Sequence, residues 1–216
     1  MKPLAIDLFC GKGGWTNALL DVGFRVIGFD INPQPEYRGK FIQWDVLDVW
    51  ARREELAWLH VPAGQISPVF ATCSSPCEQF SVHCMKHFHP NPPYPEVGIN
   101  LFNHARWLLE SLGIPYVMEN VRCAEKFVGR AVNHCGPFYL WGNAVPAIFP
   151  KECYAATKGI HAWMSREERK AGGDPLYRTG SKSKARKELQ AQYAQIPYSI
   201  ARAVAEAGMR LVEAAA

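Results

Sequence analysis

An open α/β sheet is the fold class this sequence predicts, and three observations predict it. Residues 3–30 run strand, glycine turn, helix, strand, acid, the opening unit of a nucleotide-binding α/β fold. Short apolar runs recur along the chain and break into small or polar residues, as buried parallel strands do at a sheet edge. An amphipathic stretch over residues 100–112 is followed by another apolar run, Tyr116-Val117-Met118, so helix and strand alternate.

Length and composition fit that class. The 216 residues suit one domain with at most a small appendage, and 48% hydrophobic content is enough for a full core. No stretch approaches the ~20 apolar residues of a membrane span. The first residues lead directly into Leu4-Ala5-Ile6, without the charged-then-apolar pattern of a leader. Seven cysteines, an odd number without framework spacing, point to free thiols in a reducing compartment. A cytoplasmic protein is expected.

Taken in order, Leu4 to Phe9 reads as a buried strand ending in Asp7-Leu8-Phe9-Cys10-Gly11-Lys12-Gly13-Gly14-Trp15-Thr16. Residues 15–22 read as a helix stopped by Gly23. Arg25-Val26-Ile27-Gly28-Phe29 is a second strand ending at Asp30, an acid placed to accept hydrogen bonds from ribose hydroxyls. Gly11-x-Gly13-x-x-Thr16 lacks the third glycine of the dinucleotide fingerprint, and no Gly-Lys-Ser/Thr phosphate loop is present. An adenosyl ligand without phosphates is what remains, against an unliganded α/β turn. Residues 40–44 suggest a third strand with Asp45 at its end. That acid either reads an adenine amino group or caps a helix over residues 49–59.

The next strand ends near Val69-Phe70-Ala71 and opens into Thr72-Cys73-Ser74-Ser75-Pro76-Cys77-Glu78-Gln79-Phe80-Ser81. Pro76 fixes its own φ and biases Ser75 toward extended geometry, so Cys77 sits on stiff backbone at a sheet edge. That placement suits a nucleophile; a small buried thiol is the plainer alternative. Residues 83–98 carry four prolines and read as a long irregular segment, either a lid beside Cys77 or a disordered connection. Their histidines and cysteines lack metal-ligand spacing, and no metal is expected.

Residues 100–112 form the clearest amphipathic helix, closed by Gly113 and Pro115. Tyr116-Val117-Met118 then forms a strand ending at Glu119-Asn120-Val121. A carboxyl group at that edge suits proton donation, or caps a helix or pairs with a base. Residues 133–143 are aromatic and contain a strand. Residues 151–190 hold ten Lys/Arg and five Asp/Glu, a local excess of +5 in a chain of net charge +4. Polyanion binding and a solvated charged face both account for it. A final helix opens at Ile196-Pro197-Tyr198 and runs to about residue 212.

Together these motifs resemble those of the cytosine-5 DNA methyltransferases. Asp7-Leu8-Phe9-Cys10-Gly11-x-Gly13-Gly14 is similar to that family's cofactor motif. Pro76-Cys77-Glu78-x-Phe80-Ser81 is similar to its nucleophile motif, and Glu119-Asn120-Val121 to its Glu-Asn-Val. The likeness spans residues 1–143 and 193–212, in the family's order. Ser75 replaces the first of the usual two prolines and Glu78 a glutamine. Asn133-His134-Cys135 stands near the place of Gln-x-Arg-x-Arg, which leaves Arg122 and Arg130 as candidates for holding the cytosine carbonyl. Ala194 stands where an asparagine is common.

The resemblance implies a Rossmann-like S-adenosylmethionine-dependent methyltransferase sheet of compact, phage-like size. Its catalytic domain would cover residues 1–143 and 193–216, with a reduced target-recognition region at 144–192. Cys77 and Glu119 would be catalytic. Asp7, Phe9, Gly11, Gly13, Gly14, Trp15, Asp30, Ile31, Asp45, Val46 and Pro76 would line the cofactor site. Ser81, Asn120, Arg122, Lys182 and Lys184 would meet the substrate. The implied cofactor is S-adenosyl-L-methionine and the implied partner double-stranded DNA, acted on by a monomer, with a restriction enzyme as a further partner. A DNA-binding relative without activity is the first alternative. The same chemistry on RNA or a nucleotide, or with a modified sulfonium cofactor, is the second.

Overall fold

The structure is a computed structural model that describes residues 2–55, 68–154, 183, 185 and 195–215. Its centre is a seven-stranded sheet in the order β3-β2-β1-β4-β5-β7-β6. The strands are β1 (Leu4–Leu8), β2 (Arg25–Asp30), β3 (Lys40–Gln43), β4 (Pro68–Ser74), β5 (Tyr116–Asn120), β6 (Asn133–Cys135) and β7 (Phe138–Trp141). The first five in that spatial order are parallel, and β7 runs antiparallel to β5 and β6. This is the expected Rossmann-like α/β sheet. Chain order reverses at β1, which has β2 on one side and β4 on the other. In such a sheet the crevice outside the carboxyl ends at the reversal is where ligands sit.

The helices named below are α1 (Gly14–Val22), α2 (Glu78–Cys84), α3 (Glu96–Leu112), α4 (Glu125–Val128), α5 (Lys151–Tyr154) and α6 (Tyr198–Ala214). Alternation along each strand divides the core in two. Ile6, Leu8, Ala71, Cys73 and Met118 pack with α3, whose Phe102, Ala105, Leu108 and Leu109 form its apolar stripe. Ala5, Phe70 and Val117 pack on the other face with Trp15 and Leu19 of α1 and Ile200 and Val204 of α6. Tyr198 of α6 donates its hydroxyl to Asp21 of α1, at 2.9 Å. Ala144, Phe149 and Cys153 are buried in this second cluster.

Several boundaries differ from the sequence expectation. β4 continues through Thr72, Cys73 and Ser74, because their side chains keep the strand alternation and pair with β1 and β5. The irregular segment is shorter than residues 83–98: α2 holds His83 and Cys84, and α3 starts at Glu96 directly after Pro95. Prolines confine it to residues 85–95, since a proline is tolerated just before a helix but not inside one. In place of the start of a helix at residue 49 stand two short 3₁₀ turns, Val46–Asp48 and Arg53–Glu55; residues 56–59 lie outside the described residues. Residues 133–143 form a hairpin of two strands rather than one. The expectation of free thiols is corrected as well. Cys84 and Cys123 form a disulfide, their Cα atoms 5.8 Å apart. The contact joins the end of α2 to the turn after β5, a proximity that 39 residues of separation hide from sequence spacing.

One polar group ties this core together. Asp7 in β1 is fully buried. Thr16 of α1 donates to its Oδ2 at 2.7 Å, and Thr72 of β4 donates to its Oδ1 at 3.0 Å. The Tyr37 hydroxyl, carried in on the β2–β3 connection, hydrogen-bonds Thr16 in turn. Burial outweighs the two hydroxyl donors and pushes the Asp7 pKa up to about 7 from the ordinary 3.8, with the nearby Asp30 charge adding to the rise.

A carboxyl group whose pKa is raised by folding stabilises the fold in its protonated form. That contribution is whole below the ordinary 3.8 and is lost as pH climbs to about 7. Asp7→Asn removes the titration. Between pH 5 and pH 8 the native chain is expected to lose about 2–3 kcal/mol of stability relative to the variant. Urea unfolding of both proteins at the two pH values measures the difference, and an equal change in both would contradict the assignment.

Candidate active site

The loops after β1 and β4 flank the reversal point, and each was singled out by sequence. After β1 the chain turns through Phe9, Gly11 and Gly13 with φ of +52°, +45° and +81°. Gly11 and Gly13 adopt such angles without steric cost. Phe9 does not, and holding a bulky residue there costs about 1–2 kcal/mol. Strain of this kind is kept where surrounding structure enforces it, typically beside a site. The turn presents its backbone toward Asp30 at the end of β2. The Gly11 N–H donates to Asp30 Oδ2 at 3.0 Å, and the Asn32 N–H donates to Oδ1 at 2.8 Å. Each oxygen keeps a lone pair for a further donor. Beside it Ile31 is 60% exposed, an apolar surface at the same edge.

The remaining cofactor candidates fall into two groups. Phe9, Gly11, Gly14, Asp30 and Asp45 are half-buried, while Pro76 and Ile31 are exposed. Asp7, Trp15 and Val46 are buried, so their side chains support the edge from beneath, and Gly13 is buried within the turn itself. Asp45 acts as a cap, its Oδ1 accepting from the Leu47 N–H at 2.9 Å. Gly14 has a packing reason to lack a side chain: a Cβ there would lie 3.0 Å from the Ile196 backbone nitrogen. The segment leading into α6 thus rests on the glycine turn.

The Cys77 turn is held from both sides. Trp15 Nε1 donates to Ser74 Oγ at 2.8 Å, joining α1 to the last residue of β4. Ser74 pairs in register with Glu119 of β5. One residue on, the Asn120 amide donates to both the carbonyl and the Oγ of Ser75, each at 3.0 Å. Its own Oδ1 accepts from the Val121 N–H. Ser75, Glu119 and Asn120 are buried, whereas Cys77 is half-exposed and in no disulfide. Cys77 stands at the N-cap of α2, and its carbonyl accepts from the Ser81 N–H at 2.8 Å. Cys73, four residues earlier, is buried in the strand, and burial pushes its thiol pKa well up. It is a core thiol; Cys77 is a reachable one.

The structure therefore brings Cys77, Ser81, Glu119 and Asn120 to one sheet edge with Phe9, Gly11 and Asp30. Arg122 is exposed and opens the short turn that follows Val121. Arg130 is exposed past the end of α4. Lys182 and Lys184 lie outside the described residues, as does most of the basic segment. Sequence reasoning missed Ser74 and Thr72, which carry no motif. The only available signal was that small hydroxyl residues fill the strand end where valine or isoleucine is usual. Tyr37 gave no signal at all.

No protein-family model and no curated protein matches the chain. Among solved structures it is similar to a candidate DNA modification methyltransferase encoded within a prophage (E. coli). The identity is 20% and the TM-score 0.42, over 59% of this chain and 35% of that one. It is also similar to the Entamoeba histolytica methyltransferase EhMeth, at 18% identity and a TM-score of 0.40, over 60% of this chain and 41% of the other. The chain thus spans less than half the length of either protein.

The Trp15–Ser74 bond is expected to contribute about 0.5–1.5 kcal/mol, the net worth of a neutral hydrogen bond. Trp15→Phe, Ser74→Ala and the double variant, compared by urea unfolding, form the cycle that isolates it. Additive losses would mean that the two side chains are not coupled.

Proposed function

We propose that this chain is an S-adenosylmethionine-dependent DNA cytosine-5 methyltransferase in which Cys77 is the nucleophile and Glu119 the acid. One observation carries the proposal: the turn bearing the half-exposed thiol is bonded through Asn120 to the strand bearing the buried acid. Cys77 follows the carboxyl end of β4 and Glu119 lies near the carboxyl end of the neighbouring parallel strand β5.

The residues at the β1 and β2 ends suit the cofactor. Asp30 keeps acceptor capacity beyond Gly11 and Asn32, as ribose hydroxyls require, and exposed Ile31 offers apolar surface to an adenine. Neither feature calls for a phosphate, in keeping with a turn that lacks the Gly-Lys-Ser/Thr of a phosphate loop. When bound, S-adenosylmethionine supplies an electrophilic methyl group on a sulfonium.

Carbon 5 of cytosine is a weak nucleophile. In the proposed sequence the Cys77 thiolate bonds to carbon 6, and the ring π electrons shift toward carbon 5 and N3. Glu119 donates a proton at N3, which limits the charge the ring must carry. After carbon 5 has gained the methyl group it loses its proton to a base, the Cys77–carbon 6 bond breaks to expel the thiolate, and N3 returns its proton to Glu119, which restores the aromatic ring and the acid. A free thiol is only a few per cent ionised near pH 7, so Cys77 needs activation. The first turn of α2 contributes about 0.3–1 kcal/mol toward a thiolate, and the Glu78 carboxylate in that same turn works against it. The larger share falls to the assembled complex. Neither face of a stacked cytosine admits a thiol, so the base has to leave the duplex, at a cost of a few kcal/mol. In this reading residues 85–95, which follow α2, would cover it.

Transfer of labelled methyl groups from S-adenosylmethionine, followed by nucleoside mass spectrometry, tests the proposal. With duplex DNA, 5-methylcytosine is expected. Cys77→Ser should abolish it, and Glu119→Gln should lower kcat by about 10²–10⁴-fold with cofactor binding retained. Label in RNA or free nucleotides would move the chemistry to another acceptor. DNA binding with no label in any acceptor would contradict an enzyme.

A further inference from the structure

The Cys84–Cys123 disulfide stands apart from the other five cysteines. Cys10, Cys73, Cys135 and Cys153 are buried, and Cys77 belongs to the site already described. Cys84 is exposed and Cys123 half-buried, so a soluble thiol can reach the bond. Cys84 is the last residue of α2, whose N-cap is Cys77, and Met85 opens the irregular segment. Cys123 lies in the turn Arg122–Ala124 directly after the Glu119-Asn120-Val121 stretch.

The far end of that segment is held without covalent bonds. His83 Nε2 donates to the Pro93 carbonyl at 3.0 Å, and Tyr94 meets the Phe127 ring edge-on with centroids 5.8 Å apart. Phe80 and His83 of α2 also contact Phe127, at 6.0 and 4.8 Å. Breaking the disulfide leaves these contacts in place, so α2 stays docked while its last turn loses its covalent hold on the β5 exit. The first bonds of the segment are weak local ones. Met85 N–H donates to Val82 O, and the Phe88 and His89 N–H groups both donate to Met85 O. They depend on how firmly Cys84 is fixed.

We propose that Cys84–Cys123 is a reversible thiol–disulfide exchange site that sets the mobility of residues 85–95, and that its reactant is a dithiol reductant. One thiolate of the reductant bonds to the Sγ of Cys84, the more exposed residue of the pair, and the Cys84–Cys123 bond breaks with Cys123 leaving as thiolate. The second thiol of the reductant attacks the mixed disulfide and releases Cys84. Two electrons and two protons pass to the protein, which gains two thiols, and the reductant is left as its own disulfide. The oxidised form braces the start of the segment against the β5 exit; the reduced form frees it.

The test uses the full chain, oxidised in air or treated with dithiothreitol, without denaturant. Alkylation read by peptide mass spectrometry is expected to label Cys84 and Cys123 only after dithiothreitol, with Cys10, Cys73, Cys135 and Cys153 protected in both states. Hydrogen exchange at Met85, Phe88 and His89 should speed up about tenfold in the reduced protein, with β1 and β4 unchanged, as for a local opening. The C84S/C123S double variant should match the reduced protein whatever the redox conditions. A bond absent from the oxidised protein, one that yields only to denaturant, equal exchange in both states, or a double variant that exchanges like the oxidised form would each overturn the proposal. These readouts do not depend on methyl transfer, so they stand or fall separately from the enzymatic assignment.

Discussion

The architecture of the edge depends on one buried carboxyl group. Asp7 accepts Thr16 from α1 and Thr72 from β4, and it belongs to β1, the strand at which the sheet reverses. Three elements are therefore registered against one another through two hydroxyl donors in a site without water access. A buried acid left without those bonds would cost several kcal/mol, so the register of β1 on β4 is strongly specified. The glycine turn and the Cys77 turn are continuations of those two strands. Their spacing across the crevice is fixed below the surface, by residues that need not touch a ligand.

A second layer of bonds carries that fixed spacing outward. Trp15 holds the end of β4 from the α1 side, and Asn120 holds the next residue from the β5 side. The consecutive serines Ser74 and Ser75 thus sit between the nucleotide half of the sheet and the Glu119 half. Ser75 is buried, and its hydroxyl and carbonyl are both bonded to the Asn120 amide, which stiffens the turn directly before Pro76. α6 completes the arrangement, because the segment entering it lies against Gly14 and covers the base of the turn.

The sheet was legible because its strands are short, apolar and punctuated. Gly113 and Pro115 marked the end of the helix over residues 100–112, although its start lies earlier, at Glu96, and the Gly11–Gly14 cluster announced its turn. What escaped was everything made by long-range proximity. Thr16 read as an ordinary helix residue and Thr72 as part of a loop until Asp7 lies between them. Cys84 and Cys123 have no informative spacing, so oddness of the cysteine count pointed toward free thiols. The extent of β4 was underestimated because Thr72-Cys73-Ser74 looks like loop composition, while in the fold each of those side chains has a partner waiting. Asp45 was open to two interpretations from sequence, and the bond from the Leu47 N–H shows the capping one. Cys77 and Glu119 were singled out from sequence, and the structure adds the contrast between a half-exposed thiol and a buried carboxyl group.

The proposed reaction passes through a covalent bond between the Cys77 sulfur and carbon 6 of a cytosine. Fluorine at carbon 5 cannot leave as a proton does, so the last step stalls and the bond persists. The most direct measurement is denaturing electrophoresis and peptide mapping after incubation with S-adenosylmethionine and a random-sequence duplex pool containing 5-fluorocytosine. A one-to-one protein–DNA conjugate mapping to Cys77 is the predicted result. Methyl transfer to ordinary cytosine without any conjugate, or a conjugate on a different residue, would contradict it.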